Sequence, residues 1–333
     1  MKQYNVAVVG ATGAVGEEMT RILEERKFPI NQLFLFASHR SAGKEYYFQN
    51  ERVEVSELKD NSFHGIDIAL FSGGDEVSKH FAPLAVQAGT VVIDNGKYYR
   101  MDPNVPLIIP EVNPEDVGKH KGIIANPNCS TTQMVVALKP IYDAVGIKNV
   151  ICATYQSVSG TGKEAIEELK EQSKAFLEDG NINIEVYPHQ IAFNILPHIG
   201  SFDETGYSSE EIKMLNETRK ILHDEQINVS ATTVRVPVFR AHAEDVHIET
   251  REEITPEQAR ELLAEFPGIC VIDQPGETKY PLSLMAEGKD EVFVGRIRKD
   301  LVFNPGLVMW VVSDNLIKGA ALNTIQIAEL LIK

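Results

Sequence analysis

A single cysteine, Cys129, lies in the stretch 122–132 between a short apolar run and a segment with helical spacing. An asparagine precedes it and a serine follows it, and both residue types commonly cap helices. The free amides and dipole at a helix start favour the thiolate, which is the nucleophilic form of cysteine. Cys129 is therefore a candidate nucleophile, against the alternative of a small packed core residue. Cys152 and Cys270 lie inside apolar runs, which predicts packed thiols.

A glycine-rich turn follows the first apolar run and precedes the first helical pattern. Its residues are Gly10, Ala11, Thr12, Gly13, Ala14, Val15 and Gly16. Between a strand and a helix, such a turn lets the backbone approach a pyrophosphate and presents free helix amides. The spacing is GxxGxxG and not GxGxxG, so a merely structural tight turn is the alternative. The strand-turn-helix context favours a dinucleotide-binding site.

The end of the second predicted strand indicates which dinucleotide binds. Enzymes that use NAD place an acidic residue there for the ribose hydroxyls. This chain instead has Arg40 between two hydroxyl residues, Ser38 and Ser41. A guanidinium and two hydroxyls suit a 2′-phosphate, which predicts NADP. The alternative is a solvated basic turn.

The elements that must position these residues change character along the chain. In the first third, short apolar runs alternate with helical patterns, which is typical of a parallel sheet. The predicted strands are Val6 to Val9, Leu33 to Ala37, Ile66 to Phe71, Val91 to Ile93, Leu107 to Ile109 and Ile123 to Ala125. We therefore predict a doubly wound, Rossmann-type domain.

The remaining two thirds predict an α+β domain with a mixed, largely antiparallel sheet. Thr255 and Pro256 form a helix start with a capping box. Predicted helices span 130 to 145, 163 to 177, 208 to 223 and 316 to 332, and strand patterns span 150 to 155, 229 to 249, 292 to 297 and 307 to 312. We expect domains at 1–127 and 128–313, with the terminal helix, 314–333, returning to the first domain.

Composition excludes several classes of protein. At 333 residues the chain exceeds what one core usually supports, so two domains are expected. Its formal net charge of −16 opposes binding to nucleic acid and to anionic membranes. Three scattered cysteines argue against a disulfide framework or a metal site. With no secretory pattern and no run near the ~20 apolar residues of a membrane span, we expect a cytoplasmic protein.

Several motifs, in one order along nearly the whole chain, resemble the aspartate-semialdehyde dehydrogenases, particularly the bacterial type related to those of Gram-positive organisms. They are Gly10 to Gly16, Ser38 to Gly43, Asn126 to Thr131, Tyr155 to Gly160, Arg235 to His242, Phe293 to Asp300 and Met309 to Asn315. The resemblance implies reduction of L-aspartyl 4-phosphate by NADPH to the semialdehyde, with release of phosphate. It also implies a cytoplasmic homodimer or homotetramer that serves lysine, threonine, methionine and diaminopimelate biosynthesis.

The resemblance also implies roles for individual residues. Cys129 matches the nucleophile that forms a thioester, and His242 matches the acid-base residue, whose unperturbed pKa lies near working pH. Arg235 matches the residue that binds the substrate carboxylate, for which a planar guanidinium is suited. The other matches are Gln156 for substrate orientation, Glu217 for the substrate amino group, Arg100, Lys220 and Asn128 for phosphate, and Ser159, Gly160 and Asn315 for the cofactor.

Two of these matches have competing interpretations. Glu217 and Lys220 also have the spacing of an ordinary ion pair on a helix surface. Arg235 and His242 are seven positions apart, so their side chains would point to opposite faces of one regular strand. We therefore expect a bend near Phe239 to Ala241 if both line one site.

Two other functions remain as alternatives. An N-acetyl-γ-glutamyl-phosphate reductase would share the thiol, the histidine and the cofactor turn, but it handles an acylated amine. Such an enzyme has no use for a carboxylate that binds an ammonium group, so Glu217 discriminates between the two. A non-catalytic, cofactor-binding relative is expected to have lost Cys129 or His242, and this chain retains both.

Overall fold

Strands and helices make up most of residues 2–332, the part of the chain that the computed structural model describes. The strands are β1 (Tyr4–Val9), β2 (Ile30–Ala37), β3 (Glu45–Phe48), β4 (Glu51–Glu57), β5 (Ile68–Phe71), β6 (Val91–Asp94), β7 (Ile123–Ala125), β8 (Ile147–Gln156), β9 (Asn228–Arg235), β10 (His242–Thr250), β11 (Ile269–Val271), β12 (Val292–Lys299) and β13 (Gly306–Ser313). The helices are α1 (Ala14–Glu25), α2 (Asp75–Gln87), α3 (Cys129–Val145), α4 (Lys163–Leu177), α5 (Ser209–Leu222), α6 (Pro256–Glu265), α7 (Ser283–Ala286) and α8 (Leu322–Leu331).

The chain divides into two units. The first comprises the residues up to Asn128 together with those from Ala320 onward, and the second comprises Cys129–Gly319. The first unit therefore contains α8, and the second contains all of α3. No helix within residues 2–332 is long and apolar enough to cross a lipid bilayer.

The first unit is built on a seven-stranded sheet in the order β3-β4-β2-β1-β5-β6-β7. All neighbouring strands are parallel except β3 and β4. The central strands are continuous apolar runs because helices cover parallel sheets; the last four residues of β1 are buried. Helix α8 packs against α1, and Arg26 and Glu329 form an ion pair between them. This topology confirms the doubly wound prediction.

One strand prediction in this unit was wrong, and one hairpin was missed. Residues Leu107 to Ile109 form no strand and make only an isolated bridge, from Leu107 to Ala125. Prolines flank this segment, and the Asn113 side chain bonds the Leu107 carbonyl and the Ile109 amide, so a side chain replaces ladder hydrogen bonds. The β3–β4 hairpin was not predicted, because β3 is only four residues long and β4 is rich in charged residues, with Val53 and Val55 as its only aliphatic residues.

The second unit contains a six-stranded mixed sheet in the order β11-β12-β13-β10-β8-β9. The pairs β12–β13, β13–β10 and β10–β8 are antiparallel, while β11–β12 and β8–β9 are parallel. Helix α3 packs on β8, β10, β12 and β13, and α5 packs on β9, so one face of the sheet is covered by helices. The mixed, largely antiparallel sheet was predicted correctly.

Local signals set the helix ends in this unit. Thr255 and Gln258 bond each other's backbone amides, and Pro256 is the first helical residue of α6, which confirms the predicted capping box. Ser208 and Glu211 form the same reciprocal pair at the start of α5. The predicted helix beginning at Leu316 instead starts with a π-helical turn, Ile317–Ala321, before α8.

Arg235 and His242 lie on two different strands. Arg235 ends β9 and His242 begins β10, which lies on the other side of β8 in the sheet. The connection includes Ala241 at a φ of 69°, in the left-handed region that only glycine enters freely. The predicted bend is therefore the whole connection between β9 and β10. Because Arg235 and His242 are on different strands, their spacing in the sequence does not make them face opposite ways.

Candidate active site

The glycine turn of the first unit is tightly packed backbone. Gly10 has a φ of +82°, and a β-carbon on Gly16 would lie 2.2 Å from the Gly10 carbonyl oxygen. Helix α1 starts directly after Gly13, so the amides of Ala14, Val15 and Gly16 point out of the helix without an intrahelical acceptor. Such a turn can hold a pyrophosphate close to its backbone.

The segment after β2 lies beside this turn. The Thr12 Oγ1 atom is 3.3 Å from Ser41 Oγ, in a short 3-10 helix of residues 39–41. Ser38 precedes that helix, and the side chain of Arg40 is exposed. The structure thus brings together the hydroxyl residues and the arginine that the sequence indicated for a 2′-phosphate.

Arg100 and Asn128, the two predicted phosphate ligands of the first unit, are both buried. The Arg100 guanidinium donates to the carbonyl oxygen of Asn95 at 2.8 Å and lies near the buried carboxyl of Asp94. Burial raises the pKa of Asp94, and Arg100 opposes that shift. Asn128 is the residue directly before Cys129 in the chain.

Cys129 is the first residue of α3 and is partly exposed. The free amides of that first turn favour a thiolate at this position. Gly319 packs directly on it, because a β-carbon there would lie 2.7 Å from the Cys129 β-carbon. The other thiols differ, since burial raises the pKa of both Cys152 and Cys270. Cys152 is fully packed, as predicted, whereas Cys270 is only partly buried.

Three predicted site residues, Arg235, Gln156 and His242, form one row with Ser313 across the covered face of the second sheet. Strand register pairs His242 with Ser313, and Gln156 with Arg235. The pairing of Ala243 with Tyr155 places Gln156 opposite His242. Opposed residues in a sheet project from the same face, so these side chains are neighbours, and all are buried.

The backbone of Ser157 joins Arg235 and His242, which lie on either side of Gln156 in this row. Its carbonyl oxygen accepts a hydrogen bond from Arg235 Nη1 at 2.6 Å, and its amide donates to His242 Nδ1 at 3.0 Å. A β-carbon on Gly160 would lie 3.0 Å from Arg235 Nη1 and 3.1 Å from His242 Nε2. Gly160 therefore leaves room where the guanidinium and the imidazole converge.

His242 is held in its neutral form. Burial lowers the pKa of His242 to about 3, and the positive charge of Arg235 adds to this effect. The carboxylate of Glu210 and the carbonyl of Ala241 oppose the shift but are outweighed. An imidazole of this kind donates or accepts hydrogen bonds without carrying a charge.

The acidic residue that meets Gln156 is Glu210, which the sequence did not single out. Gln156 Nε2 donates to Glu210 Oε1 at 3.3 Å, and Lys213 Nζ donates to Glu210 Oε2 at 2.9 Å. Glu210 is buried in the first turn of α5, although glutamate is rarely buried without a function or a partner.

The predicted pair Glu217 and Lys220 lies two turns further along the same helix. The first turn of α5 lies beside the end of β9, where the Thr233 amide bonds Glu211. Its last turns lie beside the start of β9, where Arg219 bonds the Ile227 carbonyl. Glu217 and Lys220 are therefore near the end of β9 that is remote from Arg235. Both glutamate-lysine pairs have the same spacing, so sequence alone could not choose between them.

Asn315 and Ser159, two predicted cofactor ligands, meet inside the second unit. Asn315 Oδ1 accepts from Ser159 Oγ at 3.0 Å, from Ser157 Oγ at 3.1 Å and from the Ala241 amide at 3.1 Å. Asn315 thus supports the two segments that carry Ser157 and His242. Nothing in the sequence patterns indicated this contact, because the three segments are far apart in the chain.

Two family models match the chain. The model described as semialdehyde dehydrogenase, NAD binding domain, matches residues 5–120. The model described as semialdehyde dehydrogenase, dimerisation domain, matches residues 138–318.

Individual proteins match along their whole length. An aspartate-semialdehyde dehydrogenase of Aquifex aeolicus (strain VF5) is 61% identical over 334 residues, covering 99% of this chain and 98% of that protein. The crystal structure of aspartate semialdehyde dehydrogenase II from Vibrio cholerae complexed with ASA has a TM-score of 0.98 at 49% identity, covering 100% of this chain and 99% of that one. A crystal structure of aspartate semialdehyde dehydrogenase with NADP from Candida albicans has a TM-score of 0.77 at 30% identity, covering 99% and 98%.

Proposed function

Because this chain belongs to the aspartate-semialdehyde dehydrogenase family, we propose that it reduces L-aspartyl 4-phosphate to L-aspartate 4-semialdehyde with NADPH. A thioester at Cys129 is the intermediate. The observation that carries this proposal is the buried row of Gln156, Arg235 and His242, in which one residue, Ser157, contacts both the guanidinium and the imidazole. A guanidinium that can bind a carboxylate and a neutral imidazole that can donate a hydrogen bond are thereby held side by side.

The residues of the first unit fit a phosphorylated dinucleotide. At Gly10, Gly13 and Gly16 no side chain keeps a pyrophosphate from the backbone, and the start of α1 supplies free amides. Arg40, Ser38 and Ser41 offer the charge and hydroxyls that a 2′-phosphate requires. When bound, the reduced dinucleotide supplies a hydride. The structure with NADP among the related proteins supports this choice of cofactor.

Cys129 attacks the carbonyl carbon of the acyl phosphate. A carbon-sulfur bond forms and the carbonyl electron pair moves to oxygen; the carbonyl then re-forms as the carbon-oxygen bond to phosphate breaks. The helix start and the partial exposure of Cys129 suit this role. The raised pKa values of Cys152 and Cys270 disfavour their thiolates.

Arg235 binds the substrate carboxylate, and Gln156 orients the substrate beside it. For the substrate ammonium group we propose Glu210 in preference to Glu217, because Glu210 contacts Gln156 and influences the pKa of His242. By the same argument Lys213, which contacts Glu210, replaces Lys220 as a candidate ligand of the phosphate, and Arg100 and Asn128 are the other candidates. A buried carboxylate for a free ammonium also favours aspartyl phosphate over an N-acetylated substrate.

We further propose that the protein is a homodimer that pairs through the second unit. The face of its sheet opposite α3 and α5 exposes Ile151 and Tyr155, and the Tyr155 ring contacts Trp310 with ring centres 5.4 Å apart. The match to a dimerisation domain over residues 138–318 supports this interface. Replacing Tyr155 by glutamate should shift the mass measured by light scattering from that of a dimer to that of a monomer.

A direct spectrophotometric assay tests the proposed reaction in its reverse direction. The protein is mixed with aspartate semialdehyde, phosphate and NADP, and the absorbance of the reduced nicotinamide is followed. We expect phosphate-dependent reduction of NADP that is lost in a Cys129→Ala variant. Faster turnover of N-acetylglutamate semialdehyde would instead favour the N-acetyl-γ-glutamyl-phosphate reductase alternative. Activity retained without the thiol would exclude the covalent mechanism.

A further inference from the structure

Ser157 occupies a position that the reaction scheme above leaves unexplained. Its amide and its hydroxyl oxygen both lie 3.0 Å from His242 Nδ1, and its carbonyl oxygen lies 2.6 Å from Arg235 Nη1. The residue is fully buried and follows the last residue of β8. One backbone segment therefore sets the relative positions of the imidazole and the guanidinium.

The amide of Ser157 also decides which nitrogen of His242 carries the proton. A backbone N–H can only donate, so the nitrogen that faces it must present a lone pair. With Nδ1 as the acceptor, the single proton of the neutral ring resides on Nε2. Among residues 2–332, no hydrogen-bond partner contacts Nε2, which is the ring atom that faces Gly160.

Asn315 fixes the two backbone segments that meet at this contact. Its Oδ1 atom accepts from the Ala241 amide, directly before His242, and from the hydroxyls of Ser157 and Ser159. Ala241 has the left-handed backbone conformation, which costs free energy for a residue with a β-carbon. The hydrogen bond from the Ala241 amide to Asn315 helps to hold that conformation and thus the orientation of the imidazole.

We propose that Ser157, supported by Asn315, is a positioning residue that holds His242 as the neutral Nε2–H tautomer, so that His242 acts as a hydrogen-bond donor to the carbonyl oxygen of the substrate. This inference rests on the proposed function. When the Cys129 sulfur bonds to the carbonyl carbon, the oxygen gains the displaced electron pair and a negative charge. The Nε2–H group stabilises that charge without giving up its proton, and the charge leaves with phosphate when the carbonyl re-forms.

The charged and titratable groups around the imidazole are consistent with a neutral donor. Arg235 at the end of β9 disfavours a second proton on the ring, and Glu210 on α5 favours one. Glu244 follows on the same face of β10 and is fully buried. Burial raises the pKa of the Glu244 carboxyl, and Glu210 adds to that shift, which disfavours a negative charge beside His242.

The tautomer is measured directly by nitrogen-15 NMR of the full-length protein labelled at histidine, at neutral pH. The resonances of His242 are identified by their loss in a His242→Gln variant. We expect the pattern of a neutral ring with its proton on Nε2. A proton on Nδ1, or a doubly protonated ring, would overturn the proposal regardless of any activity.

Two substitutions of His242 test the donor role. The amide nitrogen of glutamine can occupy the position of Nε2. The side chain of asparagine is shorter, so its amide nitrogen lies near the position of Nδ1. Loss of an oxyanion donor typically costs about 10²- to 10³-fold in kcat. His242→Gln should therefore retain at least ~10-fold more kcat than His242→Asn or His242→Ala. Equal losses in all three variants would contradict a donor that keeps its proton.

Ser157→Ala tests the positioning residue while leaving its amide in place. We expect kcat to fall about 3- to 10-fold with the KM of the aldehyde unchanged, and Ser157→Thr to restore it. The tautomer in the NMR spectrum should persist, since the backbone donor remains. A rise in KM with an unchanged kcat would contradict a role of the Ser157 hydroxyl in positioning His242. An inactive wild-type protein with the Nε2–H tautomer would overturn the proposed function and leave the tautomer assignment standing.

Discussion

The glycine turn of the first unit, residues 10–16 (the cofactor turn), depends on a glycine. So do Ser157, Arg235, His242 and Asn315 of the second unit (the Ser157 cluster), but for a different reason. The space beside Gly16 is bounded by backbone, because a β-carbon added there would lie 2.2 Å from the Gly10 carbonyl oxygen. The space at Gly160 is bounded by the tips of two functional side chains, Arg235 and His242. A side chain at Gly16 should therefore disturb the fold, whereas one at Gly160 should disturb mainly the chemistry.

The two regions also differ in how the chain assembles them. The cofactor turn is local, because its seven residues are consecutive and run from the end of β1 into the first turn of α1. The Ser157 cluster draws on β8, β9, β10 and the segment after β13, so its members meet only when the whole sheet has formed. Local sites can be recognised in a sequence, whereas assembled sites depend on strand register.

The largest expected effect follows from Gly160→Ala. The new β-carbon would lie 3.0 to 3.1 Å from Arg235 Nη1 and His242 Nε2 and would displace groups that must converge on the substrate. We expect kcat/KM to fall by about 10²-fold or more, with little change in melting temperature. Gly276→Ala is the control, because its β-carbon meets no atom within 4 Å. A catalytically normal Gly160→Ala variant would show that the substrate does not use this space.

Glu210→Gln should have the next largest effect. Loss of a charged hydrogen-bond partner typically costs about 1.5–3 kcal/mol, which corresponds to a rise in the KM of aspartate semialdehyde of about 10- to 100-fold. Glu217→Gln is the matched control, because it is a buried glutamate two turns along the same helix. If Glu217→Gln raises KM more than Glu210→Gln does, Glu217 is the ammonium ligand, as the sequence alone predicts.

Gly16→Ala should act on the first unit in a different way. Overpacking a site bounded by backbone typically costs about 1–3 kcal/mol of unfolding free energy. We expect a lower melting temperature together with weaker NADP binding by calorimetry. Binding that weakens with no loss of stability would remove the contrast with Gly160.

Arg40→Asp should change the choice of cofactor without changing the fold. The exposed guanidinium attracts a 2′-phosphate, whereas a carboxylate repels it. We expect the Kd of NADP to rise about 10-fold or more while that of NAD changes little. Equal effects on the two cofactors would exclude Arg40 as the discriminating residue.

The stability of the folded protein should also depend on pH. The pKa of His242 is about 3 in the folded protein, against about 6.5 in an unfolded chain. Between these values the unfolded chain binds a proton that the folded protein excludes, so stability falls as the pH falls below about 6.5. The difference in unfolding free energy between the wild type and His242→Gln should change by about 1.4 kcal/mol per pH unit in this range. A difference that is independent of pH would show that the imidazole is not kept neutral by the fold.

The sequence predicted what local signals determine. The capping box at Thr255, the bounds of α4 and the glycine turn all follow from neighbouring residues, and the structure has each of them. The β3–β4 hairpin was missed because its strands are short and rich in charged residues, so that only Phe48 and Val55 are buried. The choice of Glu210 over Glu217 and the contacts of Ser157 required the packing of α5 on β9 and the register of β8 and β10.

The measurement that most directly tests the central claim is the intact mass of the protein after incubation with aspartate semialdehyde and NADP in the absence of phosphate. Oxidation of the aldehyde on the enzyme should leave one aspartyl group in thioester linkage, located on the peptide that contains Cys129. Addition of phosphate should remove it. An adduct on another residue, or phosphate-dependent reduction of NADP by a Cys129→Ala variant, would contradict the account.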